Sequence, residues 1–174
     1  MPMAERKRDA EFTEYVTART SWLRAIAYLL CGDWHRADDL VQSSITKLYV
    51  SWNRAGSVEN RNGYARTVLV NTFLAEQRSS WGRRIVLRAE ADDSASALPD
   101  IDASLDLRAA LAALPPRQRA AVVLRYYCDL SVDQAATALE CSPGNVKSQS
   151  ARGIDTLRRI LETHPTTVTE GASS

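Results

Sequence analysis

The stretch SVDQAATALECSPGNVKSQSARGIDTLRRI concentrates short polar and basic side chains with hydrogen-bonding heads: Asn145, Lys147, Ser148, Gln149 and Arg152. Such heads read base edges or clamp phosphates, and Val146, Ile154 and Leu157 remain to pack the same helix inward. A solvated face of a helical bundle is the competing reading. Catalysis by side chains has little to work with. There is no GxGxxG, no GxxxxGK[ST] and no HExxH, and the two histidines, His35 and His164, sit at a helix start and in the tail. Cys31, Cys128 and Cys141 are widely spaced, with no CxxC or Cys/His pair suited to zinc, so they read as free thiols in a reducing compartment. No catalytic residue, metal or cofactor is expected.

Two helix starts position the polar heads. Ser131 with Gln134 predicts a capping box, and Ser142 followed by Pro143 predicts an N-cap with proline at the first helical position. Only Leu139, Glu140 and Cys141 lie between the two helices, which is helix-turn-helix spacing. Upstream, Leu107, Leu111 and Leu114 mark a short helix ended by Pro115, and Pro116 opens the next, whose apolar positions are Val122, Val123, Leu124 and Tyr127.

The first half reads as three further helices. Phe12, Tyr15, Val16, Leu23, Ile26, Ala27 and Leu30 recur at helical steps over Ala10 to Leu30. After the Cys31-Gly32-Asp33 break, Leu40, Val41, Ile45, Leu48, Tyr49 and Trp52 repeat the pattern. Asn53 to Gly63, with two Gly and three Asn, predicts turns. Tyr64, Val68, Leu69, Thr72, Phe73 and Ala75 mark the third helix, which ends in Arg78, Trp81, Arg83 and Arg84.

Composition agrees with a helical globular chain that folds around a real core: 174 residues, 45% hydrophobic and 25% charged. The net charge of +1 conceals an uneven distribution. Residues 1–84 hold 13 basic and 9 acidic side chains, residues 85–106 hold 1 and 6, and residues 107–174 hold 8 and 6. Two mildly basic blocks are joined by AEADDSASALPDID, a linker by composition. The apolar runs are too short for a membrane span, and the charged Met1 to Ala10 does not resemble a secretion signal, so a cytoplasmic location is expected.

Three stretches in register carry a resemblance. DWHRADDLVQSSITKLYVSW is similar to region 2.2, GYARTVLVNTFLAEQRSSWGRR to regions 2.3 and 2.4, and LAALPPRQRAAVVLRYYCDLSVDQAATALECSPGNVKSQSARG to region 4 of the bacterial sigma-70 family. The chain resembles its extracytoplasmic-function (ECF) type, most like the SigE-type subgroup of actinobacteria. The fold so implied is all-α: residues 1–84 as a region 2 helical bundle, an acidic flexible linker over 85–104, region 4 with its helix-turn-helix over 105–164, and a flexible tail over 165–174.

The resemblance also implies roles. Asp38, Asp39, Leu40, Val41 and Gln42 dock on core RNA polymerase at the β′ clamp helices, the carboxylates and Gln42 outward and the apolar pair largely inward. Region 4 meets the β flap. Asn60, Asn62, Tyr64, Arg66, Asn71, Arg78, Trp81, Arg83 and Arg84 serve the -10 element, where amides read an unstacked base and arginines neutralise phosphate. Asn60 and Asn62 serve equally well as turn formers, and Trp81 as a lid on the core. Ser142, Asn145, Lys147, Ser148, Gln149 and Arg152 serve the -35 element. Promoter DNA is the second partner and an anti-sigma factor a third. A stand-alone helix-turn-helix regulator shares the second half but needs neither the DDLVQ and VLVNT helices nor the linker.

Overall fold

The structure, a computed structural model, describes residues 2–54, 58–88 and 103–163, with side chains described over 2–54, 60–79 and 107–163. All regular structure among the described residues is helical. Helix α1 (Met3–Cys31) stops at Gly32, whose φ of 75° places it in the left-handed region while its N–H reaches Tyr28 O at 2.8 Å. Asp33 immediately caps α2 (Trp34–Val50), its carboxylate accepting from His35 N at 2.8 Å. The two helices thus fold back on one another across a two-residue break. A 3-10 turn, Trp52–Arg54, leads to α3 (Val58–Arg88).

Three boundaries differ from the sequence reading. Helix α1 begins at Met3 rather than Ala10, because the charged stretch is tied to the end of α2. Arg8 Nη2 donates to Tyr49 O at 2.6 Å, and Tyr49 Oη donates to Asp9 Oδ1 at 2.9 Å. Helix α3 already runs through Asn60, Asn62 and Gly63, where turns were expected. Tyr15 Oη donates to Asn62 Oδ1 at 2.8 Å and the Arg61 guanidinium lies 4.4 Å from the Trp52 ring centroid, so tertiary contacts override weak propensity. At its other end α3 extends to Arg88, into the start of the acidic segment.

The second half contains α4 (Ala103–Ala112), α5 (Pro116–Val122), a π turn (Val123–Tyr127), α6 (Val132–Leu139) and α7 (Pro143–Thr163). The π turn closes with Cys128 N to Val123 O at 3.0 Å and leaves Tyr126 and Tyr127 exposed. Both expected helical units are present, and they share one core. Leu23, Ile26, Leu30, Leu40, Leu69 and Phe73 continue into Ala120, Leu124, Leu139 and Val146 in a single buried cluster.

A smaller cluster of Leu111, Leu114, Val122 and Leu157 binds α4 and α5 to α7. There the helices approach so closely that a Cβ on Gly153 would lie 2.5 Å from Val122 Cγ2 and 3.4 Å from Gln118 O. Val122 is itself buried and has nowhere to retreat. Gly153→Ala is therefore expected to lose about 1–3 kcal/mol despite the better helix propensity of alanine, an overpacking cost readable by urea denaturation. An unchanged or raised midpoint would mean that α5 and α7 move apart freely.

Candidate nucleic-acid interface

The helix-turn-helix is built by caps. Ser131 Oγ accepts from Gln134 N at 3.1 Å while Gln134 Oε1 accepts from Ser131 N at 2.9 Å, which starts α6 as a complete capping box. Ser142 Oγ accepts from Asn145 N at 3.1 Å and starts α7 with Pro143 in its first turn. Val146, Ser150, Gly153 and Leu157 form the buried stripe of α7. Asn145, Ser148, Gln149 and Arg152 follow i, i+3, i+4 and i+7 spacing on one side of it, and Lys147 stands exposed on the other. Ser142 is exposed at the helix entry. The polar heads expected to meet DNA therefore share the free surface of one helix.

On α3 a second stripe forms. Asn60, Tyr64, Asn71 and Arg78 repeat at helical steps, with Thr67 between them. Tyr64 and Asn71 open into a cleft of about 330 Å³ that also receives Lys47 from α2 and Glu140 from the turn after α6. Lys47 Nζ donates to Thr72 Oγ1 at 3.3 Å, and Thr72 Oγ1 donates to Val68 O at 2.6 Å, so the ammonium is held at the cleft wall. An apolar wall, an amide and a cation in one small cleft suit an unstacked base. Lys47 escaped the sequence reading because only the crossing of α2 over α3 brings it beside Asn71, and no periodicity encodes that crossing.

The other residues of this set separate. Asn60 and Arg66 line a neighbouring cleft of about 460 Å³, shared with Gln134 and Thr137 of α6. The Arg66 guanidinium lies 5.3 Å from the Trp22 ring centroid. Asn62 turns away, its carbonyl engaged by Tyr15. Arg78 is exposed, and the side chains of Trp81, Arg83 and Arg84 lie outside the described residues.

At the start of α2, Asp38, Asp39 and Gln42 are exposed, whereas Leu40 and Val41 are buried in the core. Arg24 of α1, another residue that the sequence reading passed over, forks onto Asp38: Nε to Oδ1 at 2.5 Å and Nη2 to Oδ2 at 3.3 Å. Its guanidinium also covers Trp34 at 4.2 Å, and Trp34 stacks on Tyr28 with centroids 3.7 Å apart and planes 7° from parallel. The hydrogen bond from Arg24 holds the Asp38 carboxyl below the ordinary aspartate range. A carboxyl depressed in the folded state contributes stability above its ordinary pKa and loses it as pH falls through the lowered value. Carboxyl NMR is expected to place the Asp38 midpoint below about 3.9, and Arg24→Ala to raise it. A midpoint unmoved by Arg24→Ala would mean that the pair does not persist in solution.

Two of the three cysteines, Cys31 and Cys128, are held in the thiol form by their surroundings. Burial, with Glu76 adding to it, pushes the Cys31 thiol up to about 11, and burial raises Cys128 against the opposing effect of Arg66. Among the described residues no group of His, Cys, Asp and Glu can hold a metal, and no helix is long and apolar enough to cross a membrane.

Comparison with known proteins identifies both halves. Residues 15–83 match the family model for sigma-70 region 2, and residues 104–157 that for sigma-70 region 4. The chain is 34% identical to the RNA polymerase sigma-E factor of Streptomyces avermitilis, over 87% of this chain and 86% of that protein. It is 31% identical to the ECF RNA polymerase sigma factor EcfG of Rhodopseudomonas palustris, over 92% and 88% of the two chains. The sigma factor RpoE of Bartonella quintana, solved in complex with the anti-sigma factor NepR, superposes with a TM-score of 0.68 at 26% identity, covering 87% of this chain and 97% of that one. Regions 2 and 4 in order, and relatives matched along most of their length, establish that the chain belongs to the sigma-70 family as an ECF-type sigma factor, a protein of transcription initiation.

Proposed function

We propose that the two polar stripes divide promoter recognition: residues 1–84 grip core RNA polymerase and melt the -10 element, and residues 105–164 read the -35 element. The observation that carries this reading is the cleft where Lys47 of α2 meets Tyr64 and Asn71 of α3. An unstacked base stacks on Tyr64 while the Asn71 amide and Lys47 ammonium reach its polar edge, and Arg66 and Arg78 neutralise neighbouring phosphates. Asn60 continues the same stripe toward the start of α3, whereas Asn62 supports the helix through Tyr15.

The exposed carboxylates Asp38 and Asp39, with Gln42, face a basic surface of the β′ clamp helices. Leu40 and Val41 shape that contact from beneath, through the backbone they anchor. Region 4 meets the β flap while Ser142, Asn145, Lys147, Ser148, Gln149 and Arg152 meet the -35 duplex. Residues 85–104 tether the two units, and 165–174 form a tail. Polymerase performs the chemistry and the chain contributes no catalytic group. By analogy with the relative bound to NepR, an anti-sigma factor is the regulatory partner, and the site of action is the cytoplasm.

The test combines purified chain, core polymerase and genomic DNA, then maps the 5′ ends of transcripts that require the chain. Defined starts that share -10 and -35 elements are expected. A chain that binds no core and yields no starts, yet shifts promoter duplex on its own, would instead be a stand-alone helix-turn-helix regulator.

A further inference from the structure

Trp34 is 43% exposed, yet its ring is fixed in place. It is the first residue of α2, stacked flat on Tyr28 of α1 on one side and covered by the Arg24 guanidinium on the other. An indole held between two planar groups has little conformational freedom left to lose when a partner meets its edge. Tryptophans prepared in this way are enriched among the anchors of protein interfaces. Trp34, Asp38 and Gln42 follow one another at four-residue steps and all three are exposed, so they form a single ridge along α2. At about 1.5 Å per residue the ridge is about 12 Å long, which suits the groove of a helical partner.

Arg24 stands beside the ridge with its side chain 43% exposed. Two of its nitrogens fork onto Asp38, and a guanidinium so engaged still has N–H groups to spare. The pairing changes what the two adjacent carboxylates offer. Asp38 is fixed and locally neutralised, whereas Asp39 is exposed and has no ion pair among the described residues. One carboxylate is therefore a shaped acceptor and the other a free charge.

We propose that Trp34 and Arg24 belong to the polymerase-docking surface: Trp34 is its apolar anchor, Arg24 is the positioning residue that holds Asp38 on the ridge, and Asp39 supplies the charge that draws in a basic partner. The inference rests on the reading of Asp38, Asp39 and Gln42 as the face that meets the β′ clamp helices. It extends that face by one turn toward the start of α2 and across to α1. An anchor that is buried on docking acts on the dissociation rate, while a free charge acts on the association rate and its salt dependence. The two neighbouring carboxylates thus leave different kinetic signatures when removed.

The test titrates the full chain with core polymerase, without DNA, and follows association and dissociation rates beside the melting temperature of the free chain. Trp34→Ala is expected to speed dissociation about tenfold or more, and Trp34→Phe, which keeps a ring on Tyr28, to recover part of that loss. Asp39→Asn is expected to slow association several-fold at low salt and to flatten its salt dependence. Arg24→Ala and Asp38→Asn are each expected to speed dissociation, and the double variant no more than the worse single one, since both break one unit. Radical footprinting gives a readout that needs no substitution. The Trp34 ring is expected to be labelled in the free chain and shielded in the core complex, while Tyr49, also exposed but at the far end of α2, stays labelled. Equal labelling of Trp34 in both states would overturn the proposal, as would Arg24 and Asp38 effects that simply add. A Trp34→Ala chain that melts earlier but binds core as tightly would overturn it too. If Asp39→Asn and Gln42→Ala are also silent, the docking reading itself fails. If they weaken binding while Trp34 stays labelled, the face is right and its anchor is wrong.

Discussion

Replacing Arg119 with leucine is expected to lower the melting temperature of the full chain by about 10 °C, which is large for one substitution. Arg119 is 7% exposed, and its guanidinium serves two helix ends at once. Nε donates to Leu111 O at 2.8 Å, Nη2 to Ala112 O at 3.0 Å and Leu114 O at 2.8 Å, and Nη1 to Leu30 O at 2.6 Å. The last turn of a helix leaves carbonyls without intrahelical partners and carries the negative end of the dipole, so a planar cation with several donors suits two such ends together. The Phe73 ring lies 5.6 Å from the guanidinium carbon. Leucine would keep the volume and strand the carbonyls, at a cost of about 3–5 kcal/mol. Arg119→Lys is expected to recover only part of the loss, since one ammonium cannot reach all four acceptors. A calorimetric shift below about 3 °C for Arg119→Leu would show that water replaces the guanidinium without strain.

Arg119 also shows where sequence reasoning stops. Local chemistry was legible: Ser131 with Gln134, Ser142 with Pro143, and the Gly32-Asp33 break each act within a few residues, and each forms as expected. Amphipathic period was legible too, since Leu40 and Val41 turn inward and Asp38, Asp39 and Gln42 outward. What escaped was every feature made by contact between distant segments. Arginine in a helix reads as surface, and nothing near Arg119 reveals that Leu30, 89 residues earlier, supplies an acceptor. Lys47 and Glu140 arrive in the Asn71 cleft from two other elements. The start of α3 was hidden for the same reason, because Asn60, Asn62 and Gly63 favour turns until Tyr15 and Trp52 engage their neighbours. Charge arithmetic located the joint between the halves but carried no sign that their cores merge.

The two stripes differ in how freely they are offered. Arg152 and Lys147 on α7 stand exposed, whereas Tyr64 and Asn71 on α3 are half-buried beneath the turn that carries Glu140. A duplex can meet α7 as it stands, while the α3 cleft is bordered by Glu140 from the other half of the chain. On the proposed division of labour, the more accessible reader thus takes double-stranded DNA and the covered one takes the melted strand.

The two exposed cations of α7 are expected to fail differently. Arg152 lies on the stripe with Asn145, Ser148 and Gln149, seven residues beyond Asn145 and therefore on the same side of the helix. A guanidinium there can fork onto a guanine edge, and such a contact discriminates by about 1–3 kcal/mol. Arg152→Ala is expected to raise the chain concentration for half-maximal starts roughly 10- to 100-fold at the mapped promoter, and far less at a promoter whose -35 element has lost the contacted pair. Lys147 stands on the opposite flank, where an ammonium serves a phosphate as a point charge. Lys147→Ala is expected to weaken all promoters alike and to reduce the slope of log affinity against log salt by about one. Neither substitution removes a buried group, so helix content and core binding stay unchanged, and promoter titrations at several salt concentrations separate the two cases. Should Arg152→Ala depress every promoter equally and flatten the salt slope, Arg152 holds phosphate too, and base reading passes to Asn145, Ser148 and Gln149.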